Sequence, residues 1–301
     1  MAWRLHQSHS ETRSSTAPAS DPVIFETPAA MLEASRRWRR EGDEIGLVPT
    51  MGALHAGHMS LVDRACEENQ RVVVSVFVNP IQFGPGEDLE RYPSSPDRDL
   101  DLLSRAGVEA VYKPAARVMY PPGTSTRVVV HRVAEPLEGA ARPGHFEGVA
   151  TVVAKLFNAI EPDRAYFGQK DAQQVAVVKR LALDLDTGVK ILVFPTVREI
   201  DGLALSSRNA YLNPRERMAA GCLSAALRLA SRAYRSGDRD PARLRSVLLQ
   251  RLRAEPLAKV EYAEVVDPES FSSPGTLGVL AVRIGKTRLI DNHDLTREFP
   301  E

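Results

Sequence analysis

Pro49-Thr50-Met51-Gly52-Ala53-Leu54-His55-Ala56-Gly57-His58 joins two kinds of periodicity. Ahead of it, Ile45-Gly46-Leu47-Val48 is a short apolar run with the length and branching of a buried strand. Behind it, Met59, Leu61, Val62 and Ala65 recur at helical spacing. The segment is therefore a strand–loop–helix junction. Glycines at 52 and 57 allow a tight turn and a close approach of backbone to a ligand. The first N–H groups of the helix have no partner inside it, and with the helix dipole they favour an anion. His55 and His58, three apart, meet on one face of the first turn. Two imidazoles beside free amide donors suit phosphate oxygens. A metal site would want a third ligand, and no Cys or His stands at a suitable local spacing.

Outward from this junction, further strand ends carry polar residues. Arg71–Val78 is apolar almost throughout, as in a sheet covered on both faces, and it ends at Asn79-Pro80-Ile81-Gln82. In open parallel sheets ligands bind at the carboxyl ends of strands, which puts Asn79 and Gln82 where a substrate would lie. Arg164–Asp171 is a second strand-to-helix junction, with Gly168, a compact cation at Lys170 and a carboxylate at Asp171. Gln174 follows Lys170 by one helical turn and shares its face. Ile191–Phe194 leads through Val197 to Asp201-Gly202-Leu203-Ala204-Leu205-Ser206-Ser207-Arg208-Asn209. Two hydroxyls followed by a guanidinium make a clamp for phosphates.

The fold class expected is α/β: a Rossmann-like parallel sheet domain over 21–196, then a smaller C-terminal α+β lid domain over 197–301. Residues 1–20, Ser/Thr-rich and without apolar periodicity, read as a disordered tail. Smaller expectations are a strand at Arg127–Val130, a helix near Asp97–Arg105 with Asp97 as N-cap, and a helix over Val149–Ile160. One long helix is expected from Pro214 to Arg235, and a hairpin around Gly285-Lys286. The arginines at 36, 37, 39 and 40 read as a solvated helix face.

The chain has 301 residues, 43% hydrophobic and 26% charged, with 39 basic and 39 acidic side chains. A formal net charge of zero argues against a broad nucleic-acid or membrane surface. The two cysteines, Cys66 and Cys222, lie far apart and read as small packing residues of a reducing, cytoplasmic compartment. No apolar run approaches the roughly 20 residues that span a bilayer.

His55-Ala56-Gly57-His58 is similar to the His-x-Gly-His signature of the adenylate-forming nucleotidylyltransferase superfamily. The full Pro49–His58 string, Arg142–Val149, Gly168–Gln174 and Asp201–Asn209 resemble, in that order, segments of the pantoate–β-alanine ligase family. The resemblance spans roughly 23–292. It implies ATP-dependent ligation of (R)-pantoate and β-alanine to pantothenate, on the way to coenzyme A, through a pantoyl adenylate with release of AMP and pyrophosphate. His55, His58, Lys170, Ser206, Ser207 and Arg208 would stabilise charge on the phosphates. ATP would also touch Pro49, Met51, Gly52 and Gly57, then Gly168 and Asp171, then Val197 and Leu205. Pantoate or β-alanine would meet Gln82, Gln174, Met51 and Asn79. The resemblance further implies Mg²⁺ accompanying ATP, with Asp99 as a ligand, and a homodimer. The chain departs from the family pattern at Ala56 and Gln169, where Glu is usual, and at Arg98, where some relatives have a second acid. His145 receives no chemistry. The competing readings are a nucleotidylyltransferase that releases its nucleotidyl product, and a nucleotide-binding regulator without turnover.

Overall fold

The structure is a computed structural model of the chain, and it describes residues 21–300. The expectation for residues 1–20 lies outside the described residues. The first half runs β1 (Val23–Phe25), α1 (Pro28–Glu41), β2 (Ile45–Thr50), α2 (Ala56–Glu68), β3 (Arg71–Val76), α3 (Pro96–Arg105) and β4 (Ala110–Tyr112). It continues through α4 (Ala116–Met119), α5 (Glu138–Ala141), α6 (His145–Ile160), β5 (Arg164–Gly168), α7 (Ala172–Asp184) and β6 (Lys190–Phe194). The six strands form one parallel sheet in the order β1-β4-β3-β2-β5-β6.

That order positions the site. From β2 the chain builds outward through β3 and β4, then returns to the other side of β2 for β5 and β6. The direction reverses between β2 and β5, and in such sheets the crevice for ligands opens at the carboxyl ends of the two strands flanking the reversal. The β2–β5 ladder registers Gly46 with Arg164 and Leu47 with Ala165 and goes no further. Pro49, two residues on, has no N–H to offer a neighbour.

Helices cover both faces of the sheet. One side gathers α1, α6 and α7 around Met31, Trp38, Phe157 and Leu181; the other gathers α2 and α3 around Leu61, Val62 and Leu103. α1 starts at Pro28 under a Thr27 side-chain cap and stops at Gly42, whose φ of 89° is left-handed. Its arginines face solvent, where Arg36 pairs with Glu161 and Arg39 with Asp163.

The second half comprises α8 (Pro214–Ala220), α9 (Cys222–Arg235), α10 (Pro241–Arg253) and an antiparallel sheet of β7 (Ala258–Val266), β8 (Leu277–Ile284) and β9 (Thr287–Asp294). Leu223, Leu227, Leu244 and Leu248 pack on Leu280, Val282 and Ile284 as a separate core. Val266, Phe271, Leu277 and Val279, however, belong to the core of the parallel sheet. The two halves thus share packing as well as a chain connection.

Four sequence expectations need correction. Residues 127–130 are not a strand: the Val128 N–H donates to the Thr151 hydroxyl instead of to a neighbouring strand. The Pro214–Arg235 helix is two helices broken at Gly221. α6 begins at His145 rather than Val149. Asp97 lies in the first turn of α3, after Ser95 at the cap position.

Candidate active site

The loop after β2 is held from behind. Asp99, only 2% exposed, accepts the N–H groups of Ala53 and Leu54 at 2.8 Å, one on each carboxylate oxygen. Gly52 has a φ of 83°, and a Cβ there would sit 3.1 Å from that carboxylate. Gly52 and Asp99 therefore support the loop and do not line the cleft. Asp99, the residue that the resemblance implies as a metal ligand, here uses one acceptor site on each carboxylate oxygen to hold a backbone amide.

His55 caps α2. Its Nδ1 accepts the Gly57 N–H at 3.2 Å, and the His58 Nδ1 accepts the His55 N–H at 3.4 Å. An imidazole nitrogen that accepts carries no proton, so in the neutral rings the proton sits on Nε2. The rings stack, with centroids 4.0 Å apart. A Cβ at position 57 would press within 3.0 Å of the His55 ring, which explains the glycine between them. Burial, His55 and Lys170 push the His58 pKa down to about 3, and burial and Lys170 lower that of His55. The pair thus presents two neutral Nε2–H donors at a helix N-terminus.

At the end of β3, Asn79 is 1% exposed and donates to the Gln82 side-chain oxygen at 2.9 Å and to the Gly148 carbonyl at 3.1 Å. The Tyr120 hydroxyl donates to the Asn79 oxygen at 2.8 Å. This fixes the Gln82 amide, whose nitrogen points to the Met51 sulfur at 3.3 Å. From the other side, Arg142 donates to His145 Nε2 at 3.1 Å, so His145 Nδ1–H donates to the Gln82 carbonyl at 3.0 Å. Glu87 in turn grips Arg142 with two 2.7 Å bonds.

The turn after β5 places Lys170 Nζ 3.6 Å from the Asp171 carboxylate. Enclosure raises the Asp171 pKa, but Lys170 and Arg208 outweigh it and hold the group below the usual carboxylate value. Ser206 caps its own loop by accepting the Arg208 N–H at 3.3 Å, and the Ser207 hydroxyl lies 3.2 Å from that of Tyr92. Arg208 makes two 2.8 Å bonds to Asp88.

One cavity of roughly 220 Å³ is lined by Pro49, Met51, His55, Gly57 and His58, by Asn79 and Gln82, and by Gly168, Lys170, Asp171 and Gln174. Val197, Leu205, Ser206, Ser207 and Arg208 complete its wall. It adjoins a cleft of roughly 870 Å³ toward the C-terminal sheet, with Lys170, Gln174 and Arg208 shared between them. Among the described residues no group of three His, Cys, Asp or Glu side chains is placed to hold a metal ion. Asp88, Tyr92 and Arg142 line the site without having been singled out by sequence. Arg142 sits in a family-like string and was open to detection; Asp88 lies in a loop and finds its partner 120 residues away.

Comparison with known proteins bears on what this cleft holds. A family model for pantoate-beta-alanine ligase matches residues 23–294. A pantothenate synthetase of Rubrobacter xylanophilus is 54% identical over 286 residues, covering 91% of this chain and 98% of that relative. A crystal structure of pantothenate synthetase from Thermus thermophilus superposes with a TM-score of 0.85 at 45% identity, covering 91% of this chain and 99% of that one. A pantoate-beta-alanine ligase from Francisella tularensis, solved in complex with beta-gamma ATP and beta-alanine, superposes with a TM-score of 0.77 at 33% identity, covering 93% and 100%.

Proposed function

The chain belongs to the pantoate-beta-alanine ligase family, and we propose that it condenses (R)-pantoate with β-alanine to pantothenate, using ATP through a pantoyl adenylate. The observation that carries this reading is the shared cavity: the anion-stabilising set and the two glutamines line one wall-to-wall space at the β2–β5 crevice. In the first step a pantoate carboxylate oxygen attacks the α-phosphorus and pyrophosphate leaves. In the second the β-alanine amine attacks the activated carbonyl, the C–O bond to phosphate breaks, and AMP leaves. The Nε2–H groups of His55 and His58, Lys170 and the Ser206–Arg208 loop face the phosphates, where preorganised donors stabilise charge as it develops. Gln82, already oriented by Asn79, and Gln174 grip the pantoate hydroxyls from opposite sides, since an amide both donates and accepts. No covalent nucleophile is required, because holding two substrates in line accounts for much of the rate.

Residues 197–301 act in this reading as the lid over the cleft. Magnesium accompanies ATP, bound mainly by phosphate and water. The site's carboxylates are otherwise engaged: Asp88 with Arg208, Asp171 with Lys170, Asp99 with the β2 loop. A homodimer working in the cytoplasm completes the proposal; no helix among the described residues is long and apolar enough to cross a membrane.

The test is ATP–pyrophosphate exchange across a panel of carboxylic acids without β-alanine, followed by AMP release when β-alanine is added. Exchange with pantoate, and AMP only with β-alanine, is the expected pattern. Exchange with a different acid alone, or release of a nucleotidyl product, would overturn it.

A further inference from the structure

We propose that Asn292 and Asp291, adjacent on β9, are positioning residues that set the spacing between Lys170 and the Ser206–Arg208 loop. The inference rests on the function proposed above and adds residues to which sequence had given no role.

Lys170 rides on a single short turn, Gln169–Asp171, that has no side-chain cap of its own. Its carbonyls are satisfied from the other half of the molecule. Asn292 is 4% exposed, and its Nδ2 donates to the Gln169 carbonyl at 2.9 Å and to the Lys170 carbonyl at 2.8 Å. Two carbonyl partners fix which end of the amide is nitrogen, and both its N–H groups are used. Its oxygen faces the Gln169 Nε2 at 3.4 Å. Gln169 thus supplies a donor to the same contact.

The neighbouring residue reaches the second anion-binding segment. Asp291 is 2% exposed and holds Arg198 through bonds of 2.7 and 2.9 Å. Arg198 also donates to the Gly202 carbonyl at 3.0 Å, and its guanidinium lies 4.6 Å over the Phe299 ring. Arg198 bridges Ala204 as a short antiparallel pair, and the Leu205 N–H donates to Val197. This small hairpin delivers Ser206 to the cavity. One Asp291 oxygen accepts the Asn292 N–H at 2.8 Å, which locks the two anchors together. The dipeptide therefore ties both phosphate-facing segments to one rigid strand. Lost positioning of this kind costs on the order of 10²-fold when a reacting group shifts by about 1 Å.

The experiment is a double-mutant cycle of Asn292→Ala against Lys170→Ala, read as kcat and KM in ATP–pyrophosphate exchange with whichever acid the panel shows to be the substrate. A wrong substrate assignment would then appear in the panel and leave the cycle interpretable. Asn292→Ala is expected to lower kcat about 10- to 10²-fold with the KM for the acid changed less than about threefold. In the Lys170→Ala background the same substitution should cost less than about threefold, because the group it positions is already gone. An equal loss in both backgrounds, or no loss in the first, would overturn the proposal. If the alanine variant fails to fold, Asn292→Ser, which is uncharged and offers one donor where the amide offers two, takes its place in the cycle with the same expected and overturning outcomes.

Discussion

Arg208 and Asp88 are joined across the cleft by two 2.8 Å hydrogen bonds, one from Nε and one from the terminal nitrogen. A phosphate offers a guanidinium the same bidentate geometry as a carboxylate. A phosphate that takes this same face of Arg208 has to displace Asp88. Enclosure raises the Asp88 pKa, but the guanidinium outweighs it and holds the carboxyl below its usual value, so the rival anion is charged at neutral pH. Asp88→Asn should tighten ATP binding about fivefold, the equivalent of about 1 kcal/mol for a partly exposed pair. Calorimetric titration with ATP checks this. Weaker binding would show that Asp88 holds the arginine in its working place.

The two histidines make a second prediction, because backbone N–H groups occupy both Nδ1 atoms. Nitrogen chemical shifts should show the Nε2–H tautomer for each. His58, held down to about 3 by burial and by His55, should gain no proton between about pH 5 and 8, so kcat should show no inflection from it there. His55, lowered by burial and Lys170, should be neutral at about pH 7. His55→Ala and His58→Ala should each lower kcat by roughly 10²–10³, as for loss of one transition-state donor. A proton on Nδ1 in either ring, or near-normal turnover in both variants, would refute the assignment.

The parts of this site that sequence revealed are those whose partners are local. His55, Gly57 and His58 act within one helical turn, and the spacing that makes them visible is the spacing that makes them work. The same holds for Lys170 and Gln174, and for Ser206 with Arg208. What stayed hidden is paired over long distances: Asp88 with Arg208, Glu87 with Arg142, and Asn292 with the carbonyls of 169 and 170. The Arg127–Val130 run misled for a related reason. Val128 and Val130 pack against the core, which produces strand-like alternation, but among the described residues no strand pairs with them to complete a ladder. Apolar alternation reports burial on one side, and pairing needs a neighbour.

Asp99 supports a third prediction. An asparagine there can accept from only one of the Ala53 and Leu54 N–H groups and sets its own NH₂ against the other. A buried donor left unsatisfied costs about 1–3 kcal/mol. Asp99→Asn should lower the melting temperature and kcat while leaving the midpoint of a magnesium titration unchanged. A shifted midpoint at normal stability would return Asp99 to the metal.

His145 gives the last prediction, through pH. It is 8% exposed, and burial together with Arg142 pushes its pKa from the ordinary 6.5 down to about 4. Because the folded value lies below the unfolded one, acidification protonates the unfolded chain first. The stability gained from a neutral His145 is complete above about pH 6.5 and is lost as pH falls toward 4, by up to about 1.4 kcal/mol per pH unit. Glu87 and Asp88, whose pKa values are lowered from ordinary carboxylate values, contribute their own loss only at lower pH. Denaturant unfolding of wild type and His145→Asn, compared between about pH 6.5 and 5, isolates the histidine. The variant keeps an N–H for the Gln82 carbonyl but cannot titrate, so its stability should fall less steeply over that interval. Equal slopes in the two proteins would mean that His145 takes up its proton in the fold over the same pH range as in the unfolded chain, and that Arg142 does not keep its Nε2 unprotonated.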